Sequence, residues 1–312
     1  MPADNKQIYN FNTQEKQRLD DFLKKELSKV SGEVFSNSKL RRLIIAGAVS
    51  VNNRVINRPA FELRGNSKVT VVFDREKFFY EKQPDDVKFE VTDSAVLFED
   101  ENLIFINKPA FFPVEQTIVG NRANLHDAVV DYLWKRNPEL RNPPYVGIMH
   151  RLDRETSGVI LFTKNRGVNK TVSEMFQNHE FEKKYYAVVQ DKPELKTGTS
   201  FTVEFFMGRV SGKSQKGQWG KLSEKDGGQY SKTDFTVVEK CKIQGINCAL
   251  IQCDLYTGRT HQIRVHLASK NLPILGDELY GGKAADRLYL HAYQLKKETG
   301  ELQFNVTAPV PW

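Results

Sequence analysis

The stretch Gly147–Gly158, GIMHRLDRETSG, packs one histidine, two arginines and one aspartate into the five residues His150–Arg154. An apolar lead-in and the pair Ser157-Gly158 flank it. A solvated charged turn has no need of such flanks. Asp153 has Arg151 and Arg154 as neighbours, and nearby positive charge favours the carboxylate form, so the residue is expected to be ionised at neutral pH. An ionised carboxylate serves as a nucleophile or a base rather than an acid. Read alone, the same Arg-Asp-Arg cluster also describes a structural ion-pair network.

Other chemistries find little support. His261 and His266 are five residues apart with no carboxylate between them, which does not align two ligands on one helix turn, so a metal site is not expected. Neither a G-x-x-x-x-G-K-S/T phosphate loop nor a G-x-S-x-G elbow occurs. Cys241, Cys248 and Cys253 are odd in number without a C-x-x-C pair, and are read as small buried hydrophobes. The start MPADNKQIYN lacks the apolar core of a signal peptide, and no apolar run reaches the roughly 18 residues of a membrane span. A cytoplasmic protein is expected, with no membrane partner.

The elements that must position Asp153 follow from periodicity. Apolar or alternating runs at 102–109, 158–164, 183–190 and 248–255 read as strands, and amphipathic runs at 123–134, 168–178 and 261–269 read as helices. This mixture predicts an α+β domain over residues 95–312. Ahead of it, 15–28 carries a helical stripe of Leu19, Phe22, Leu23 and Leu27, and a second helix capped by Ser38 ends at Gly47. Val49–Val51, a turn at Asn52-Asn53, a return at Val55-Ile56 and a strand over Val69–Phe73 complete a small unit, 1–74. Residues 75–94 read as a linker. Gly208–Lys232, with six glycines and Trp219, reads as an exposed basic loop.

Charge is concentrated in the small unit. The chain is +7 overall, while residues 39–68 alone hold 7 Lys+Arg against 1 Asp+Glu, a net +6. A polyanion partner would explain this, because phosphate contacts dominate nucleic-acid affinity; a solvated basic face is the plainer reading.

Two resemblances add to these readings. RLDDFL and GAVSVNN within residues 16–73 resemble the S-four RNA-binding domain, which implies that Lys39, Arg41, Arg42 and Arg54 face phosphates. HRLDRETSGVILFTKN resembles the catalytic motif of the RluA-type RNA pseudouridine synthases. LIFINKPA, FEKKYYAVV, TGRTHQIRVHLASKNLPILGDELYGG and RLYLHAYQL resemble that family's other motifs in order.

The second resemblance implies a largely antiparallel central sheet with flanking helices, and isomerisation of uridine to pseudouridine without cofactor or metal. Its partner would be RNA rather than DNA, and large-subunit ribosomal RNA rather than transfer RNA. It makes Asp153 the catalytic aspartate, Arg264 its partner, Tyr185 the aromatic that stacks on uracil and helps remove its C5 proton, and Arg151 the side chain entering the RNA stack. Tyr186 takes the role of Tyr185 if the strand register is off by one. His150 is expected to support the loop, Thr156 and Ser157 to fix the turn through backbone hydrogen bonds, and His126 has no assigned role. Phe111 and Glu115 depart from the family pattern, which has glycine and histidine near those positions. A non-catalytic RNA-binding protein and a glycosidic hydrolase are the competing classes; the second wants two carboxylates, and the motif supplies one.

Overall fold

A computed structural model describes residues 6–31, 35–45, 47–74, 87–115, 123–210 and 218–312. These fall into two compact units, 6–74 and the residues from 87 onward.

In the small unit the strands Lys6–Asn12, Lys68–Asp74, Val49–Val51 and Arg54–Val55 form one sheet in that order. The helices Leu19–Ser31 and Asn37–Ile45 bury Leu19, Leu23, Leu27, Leu40 and Ile44 in a common core with Val49, Val69 and Val71. The first helix begins at Leu19, with the apolar stripe but after the start of the stretch 15–28, because Gln17-Arg18 pairs as a strand with Glu62-Leu63. Gly47 closes the second helix with φ +76°, the left-handed turn that glycine adopts without strain. Asn52 and Asn53 both take positive φ, the hairpin turn expected of them. The strand Lys6–Asn12 has no counterpart among the predicted elements.

The large unit is built on one mixed, mostly antiparallel sheet. Its strands run in the spatial order Trp219–Lys221, Ser200–Arg209, Gln229–Ile243, Ile246–Leu255, Glu182–Gln190, Leu290–Lys297, Ser157–Thr163, Leu103–Lys108 and Val96–Glu99. Phe304–Thr307 adds to Leu290–Lys297, and Gly147-Ile148 to Ser157–Thr163. The helices Leu125–Lys135, Asn169–Gln177 and Gln262–Ser269 complete the α+β architecture. Apolar clusters pack against this sheet, and all seven residues of Ser157–Thr163 are buried, as an unbroken apolar run demands. Among the described residues the only parallel pair joins that strand to Leu290–Lys297.

Two expectations need correction. The stretch read as an exposed loop, Gly208–Lys232, carries strand at both ends: Met207–Arg209 pairs with Trp219–Lys221, and Gln229 onward pairs with Ser200–Met207. Glycine content misled here, since the hairpin lies at the sheet's edge where small residues are tolerated. Residues 211–217 lie outside the described residues. In the stretch read as linker, Phe89 and Val91 pack into the large unit's core, Phe89 against the ring of Phe112 at 5.4 Å. The three cysteines are free, and Cys248 and Cys253 sit in the core.

Candidate active site

Asp153 leaves a short loop just before the buried strand Ser157–Thr163, its turn closed by a hydrogen bond from the Thr156 amide to the Asp153 carbonyl at 3.1 Å. Gly158 makes the position possible. At φ +115° a β-carbon there would stand 2.1 Å from the Ala292 carbonyl oxygen, so only glycine lets the two parallel strands approach. Ser157 does not bond to backbone as expected. Its hydroxyl meets His291 Nδ1 at 2.9 Å and accepts from Arg287 at 2.7 Å.

The arginines beside Asp153 in sequence turn elsewhere. Arg151 pairs with Glu115 at 2.6 Å in an exposed contact, and Arg154 reaches Glu155 at 3.1 Å and lies over the Phe111 ring at 5.3 Å. Adjacent side chains on an irregular loop diverge, so chain proximity overstated their electrostatic hold. The ion pair of Asp153 is with Arg264, Nη1 to Oδ2 at 3.6 Å. Arg264 is itself fixed by a two-pronged contact to the fully buried Asp277, Nε and Nη2 each donating at 2.8 Å. Burial by itself would lower Arg264, but the bonds to Asp277 and the charge of Asp153 raise it well above its ordinary value. Arg264 therefore stays charged, with Nε and Nη2 anchored on Asp277 and Nη1 towards Asp153.

His261 is the second group on Asp153, Nε2 to Oδ2 at 3.8 Å. It precedes the helix Gln262–Ser269 with φ +57°. The Tyr280 hydroxyl accepts from the Trp219 amide at 3.0 Å and meets His261 Nδ1 at 2.8 Å. With the hydroxyl proton on the second contact, the imidazole proton is on Nε2, towards Asp153. Burial holds His261 below its ordinary value, with Asp153 opposing. Gln262 is buried and uses both ends: its carbonyl accepts from the Thr257 hydroxyl and the Arg259 amide, while its amide donates to the Lys232 carbonyl and Thr233. It clamps the turn that delivers Arg259 and His261.

Tyr185 lines the pocket at Asp153, whereas Tyr186 packs against the tilted ring of Tyr293 at 4.8 Å. A register shift at Lys184/Tyr185 against Leu290–Lys297 falls at this point, a common device for aiming a side chain. Burial and then the charge of Asp153 raise Tyr185 well above its ordinary value, keeping the phenol protonated.

Behind the loop stands Lys108, fully buried, its Nζ donating to the carbonyls of Pro109 at 2.8 Å, Phe112 at 2.7 Å and Arg154 at 2.9 Å. Burial lowers it to about 7, yet three acceptors match the three donors of an ammonium, so the geometry favours the charged form. His150 accepts from the Leu161 amide at 2.9 Å, stacks on Phe176 at 4.7 Å and is lowered to about 3 by burial, the supporting role expected of it.

A small pocket of about 90 Å³ at Asp153, Tyr185 and Arg264, lined also by Arg151 and Arg259, adjoins one of about 800 Å³ that adds Phe176, His179 and Lys183. A carboxylate held by a fixed guanidinium beside an aromatic face suits proton transfer or covalent addition to a flat ring. His266, read as no ligand, meets Ser231 and Thr233 at 2.9 and 3.0 Å. His126 joins Asp127 and the Val146 carbonyl at 3.0 and 3.1 Å. Sequence reasoning missed Asp277, Tyr280, Gln262 and Lys108, and weighed His261 only as a metal ligand. A signal for Asp277 and Tyr280 existed in GDELYGG, the end of the motif that begins TGRTHQIRVHL.

In the small unit, Arg41 is exposed and lies 3.6 Å from Asp20. Arg54 is exposed and lines a groove with Lys16, Arg58 and Arg64. The side chains of Lys39 and Arg42 lie outside the described residues.

Residues 102–269 match the family described as RNA pseudouridylate synthase, and residues 17–69 match the S4 domain. An RNA pseudouridine synthase of Mycoplasma pneumoniae, named as uncharacterized, is 32% identical over 89% of this chain and 84% of its own. Ribosomal large subunit pseudouridine synthase C of Salmonella typhimurium is 30% identical over 94% of this chain and 89% of its own. The structure of human RNA Pseudouridylate Synthase Domain Containing 1 aligns with TM-score 0.57 and 22% identity over 72% of this chain and 87% of that one, a likeness of fold.

Proposed function

This chain belongs to the RNA pseudouridylate synthase family, a group of isomerases, and from that premise we propose that it acts on large-subunit ribosomal RNA through Asp153. The observation that carries the reading is the Arg264–Asp153 ion pair in a pocket faced by Tyr185.

The isomerisation breaks the N1–C1′ bond of uridine and forms a C5–C1′ bond; C5 loses its proton and N1 gains one, leaving composition unchanged. Asp153, as a carboxylate, adds to the sugar or base, or accepts a ribose proton. Arg264 orients it, and its two bonds to Asp277 keep that orientation from shifting with each turnover. The Tyr185 ring supports the detached uracil while it rotates, and a stacked aromatic tolerates that rotation because it makes no directional bond to the base. Exposing the glycosidic bond requires turning the nucleotide out of its stack, at about a few kcal/mol, and the planar guanidinium of Arg151 fills the gap. The exposed Glu115 pair that now holds Arg151 is of the kind that contributes about 1 kcal/mol or less, so an RNA stack displaces it readily.

Ribosomal RNA is favoured because a relative of similar length carries that substrate in its name and because an RNA-binding unit precedes the catalytic one. Such a modifier works in the cytoplasm. Purified protein is offered ribosomal and transfer RNA from cells lacking it, and pseudouridines are mapped. New pseudouridine in large-subunit RNA is expected. With Asp153→Asn, turnover falls by about 10³-fold or more while RNA binding persists. Turnover retained in that variant sinks the assignment of Asp153, and modification of transfer RNA alone sinks the choice of substrate.

A further inference from the structure

The larger pocket holds a cluster of basic side chains that the chemistry at Asp153 does not use. Lys183 lies on the strand Glu182–Gln190, Arg259 on the turn clamped by Gln262, and His179 just after the helix Asn169–Gln177. Three separate elements thus bring basic side chains to one cavity of about 800 Å³. The Lys183 ammonium lies beside the turn, 3.8 Å from where a β-carbon on Gly258 would stand.

Arg259 Nε donates to the Tyr230 carbonyl at 3.1 Å, and neither Arg259 nor Lys183 forms an ion pair among the described residues. The two carboxylates that line the same cavity are engaged, Asp153 with Arg264 and Glu115 with Arg151. Burial, then the charge of Arg259, lowers Lys183 to about 8; burial, then Lys183 and Arg259, lowers His179. Like charges crowded together and partly withdrawn from water are a cost to the free protein that an incoming anion removes. His179 adds a backbone sign. It takes φ +57° at the helix end, where glycine is the usual residue, so a titratable side chain is kept at a position that disfavours one.

We propose that Lys183, Arg259 and His179 form a seat for one backbone phosphate of the RNA, next to the nucleotide that meets Asp153. A phosphodiester suits the set better than a base edge. Its two free oxygens accept from a guanidinium fork and an ammonium together, and Lys183 and Arg259 offer donors and charge without the acceptors that base recognition needs. The seat fixes the strand on one side of the turned-out nucleotide and carries no sequence information. It rests on the reading of this pocket as the site of uridine isomerisation.

The test uses the full chain and a uridine pentanucleotide, with each phosphodiester replaced in turn by an uncharged methylphosphonate. At one linkage the replacement should weaken wild-type binding about tenfold, the scale of a single charged contact, and weaken Lys183→Met little further. Lys183→Arg should restore sensitivity at that linkage. Arg259→Met repeats the cycle should Lys183→Met fail to fold. Additive losses at every linkage in both variants overturn the seat. The readout is affinity, so it is independent of turnover: absence of pseudouridine from every RNA offered to the wild type defeats the functional reading, whatever the binding cycle gives.

Discussion

Arg264 faces two carboxylates that demand different things of it. Asp277 is wholly buried and relies on it for neutralisation, while Asp153 sits at the pocket and faces only its Nη1. Arg264→Leu therefore does more than release Asp153. It strands a buried charge, and breaking such a pair costs about 3–5 kcal/mol. The expected outcome is a fall in thermal stability together with loss of turnover. Adding Asp277→Asn should return most of the stability, because the remaining group is neutral, without returning activity. Unfolding curves and turnover on the single and double variants check this, and recovery of both properties together would show that Arg264 is needed only for folding.

Elements decide how closely these residues can be brought together. The parallel contact between Ser157–Thr163 and Leu290–Lys297 exists because Gly158 has no β-carbon. Gly158→Ala meets both a positive φ and a carbonyl oxygen 2.1 Å away, so a loss of at least about 2 kcal/mol is expected in denaturant unfolding. A stable, fully active alanine variant would contradict the strand geometry. The strand Glu182–Gln190 makes a different prediction through Lys183, which faces Arg259, His179 and a His150 kept neutral by burial. Its pKa is lowered to about 8 in the free protein, and a bound phosphate raises it. Binding above pH 8 therefore takes up a proton, and affinity falls as pH rises, by at most about tenfold per pH unit. Below pH 8 this contribution is flat. Kd measured from pH 7 to 9.5 should show the decline in the wild type and not in Lys183→Arg.

At the scale of the whole molecule, the two units carry separate cores and separate basic surfaces. Arg54, Arg58 and Arg64 are exposed along one groove of the small unit. If these three contact phosphates, the triple change to glutamine should reduce the steepness of log K against log salt by about 2, at roughly 0.7 per single-stranded contact. A slope unchanged from the wild type would mean that the groove faces solvent. The catalytic pocket should keep its own salt dependence, since Arg151, Lys183 and Arg259 belong to the other unit.

Read alone, the sequence determined the reaction class, the two-unit plan and the elements with strong periodicity. The unbroken run GVILFTK had to be a strand buried on both faces, and Asn52-Asn53 had to be a tight turn, because each rests on local geometry. It also marked Asp153, Tyr185 and Arg264, which sit on motifs long enough to be specific. Only the tertiary structure decided what each touches. Proximity in sequence suggested Arg151 and Arg154 as partners of Asp153, whereas the resemblance named Arg264, and the fold brings that residue from 111 positions away. Asp277, His261 with Tyr280, and the three carbonyls around Lys108 were hidden. Glycines in 208–232 concealed an edge hairpin, because the local pattern there is poor in the branched and aromatic residues that mark a strand. Local patterns record which face a residue turns to its own element. The partner it meets is set by how elements pack, and an ion pair or a buried hydrogen bond is satisfied only there.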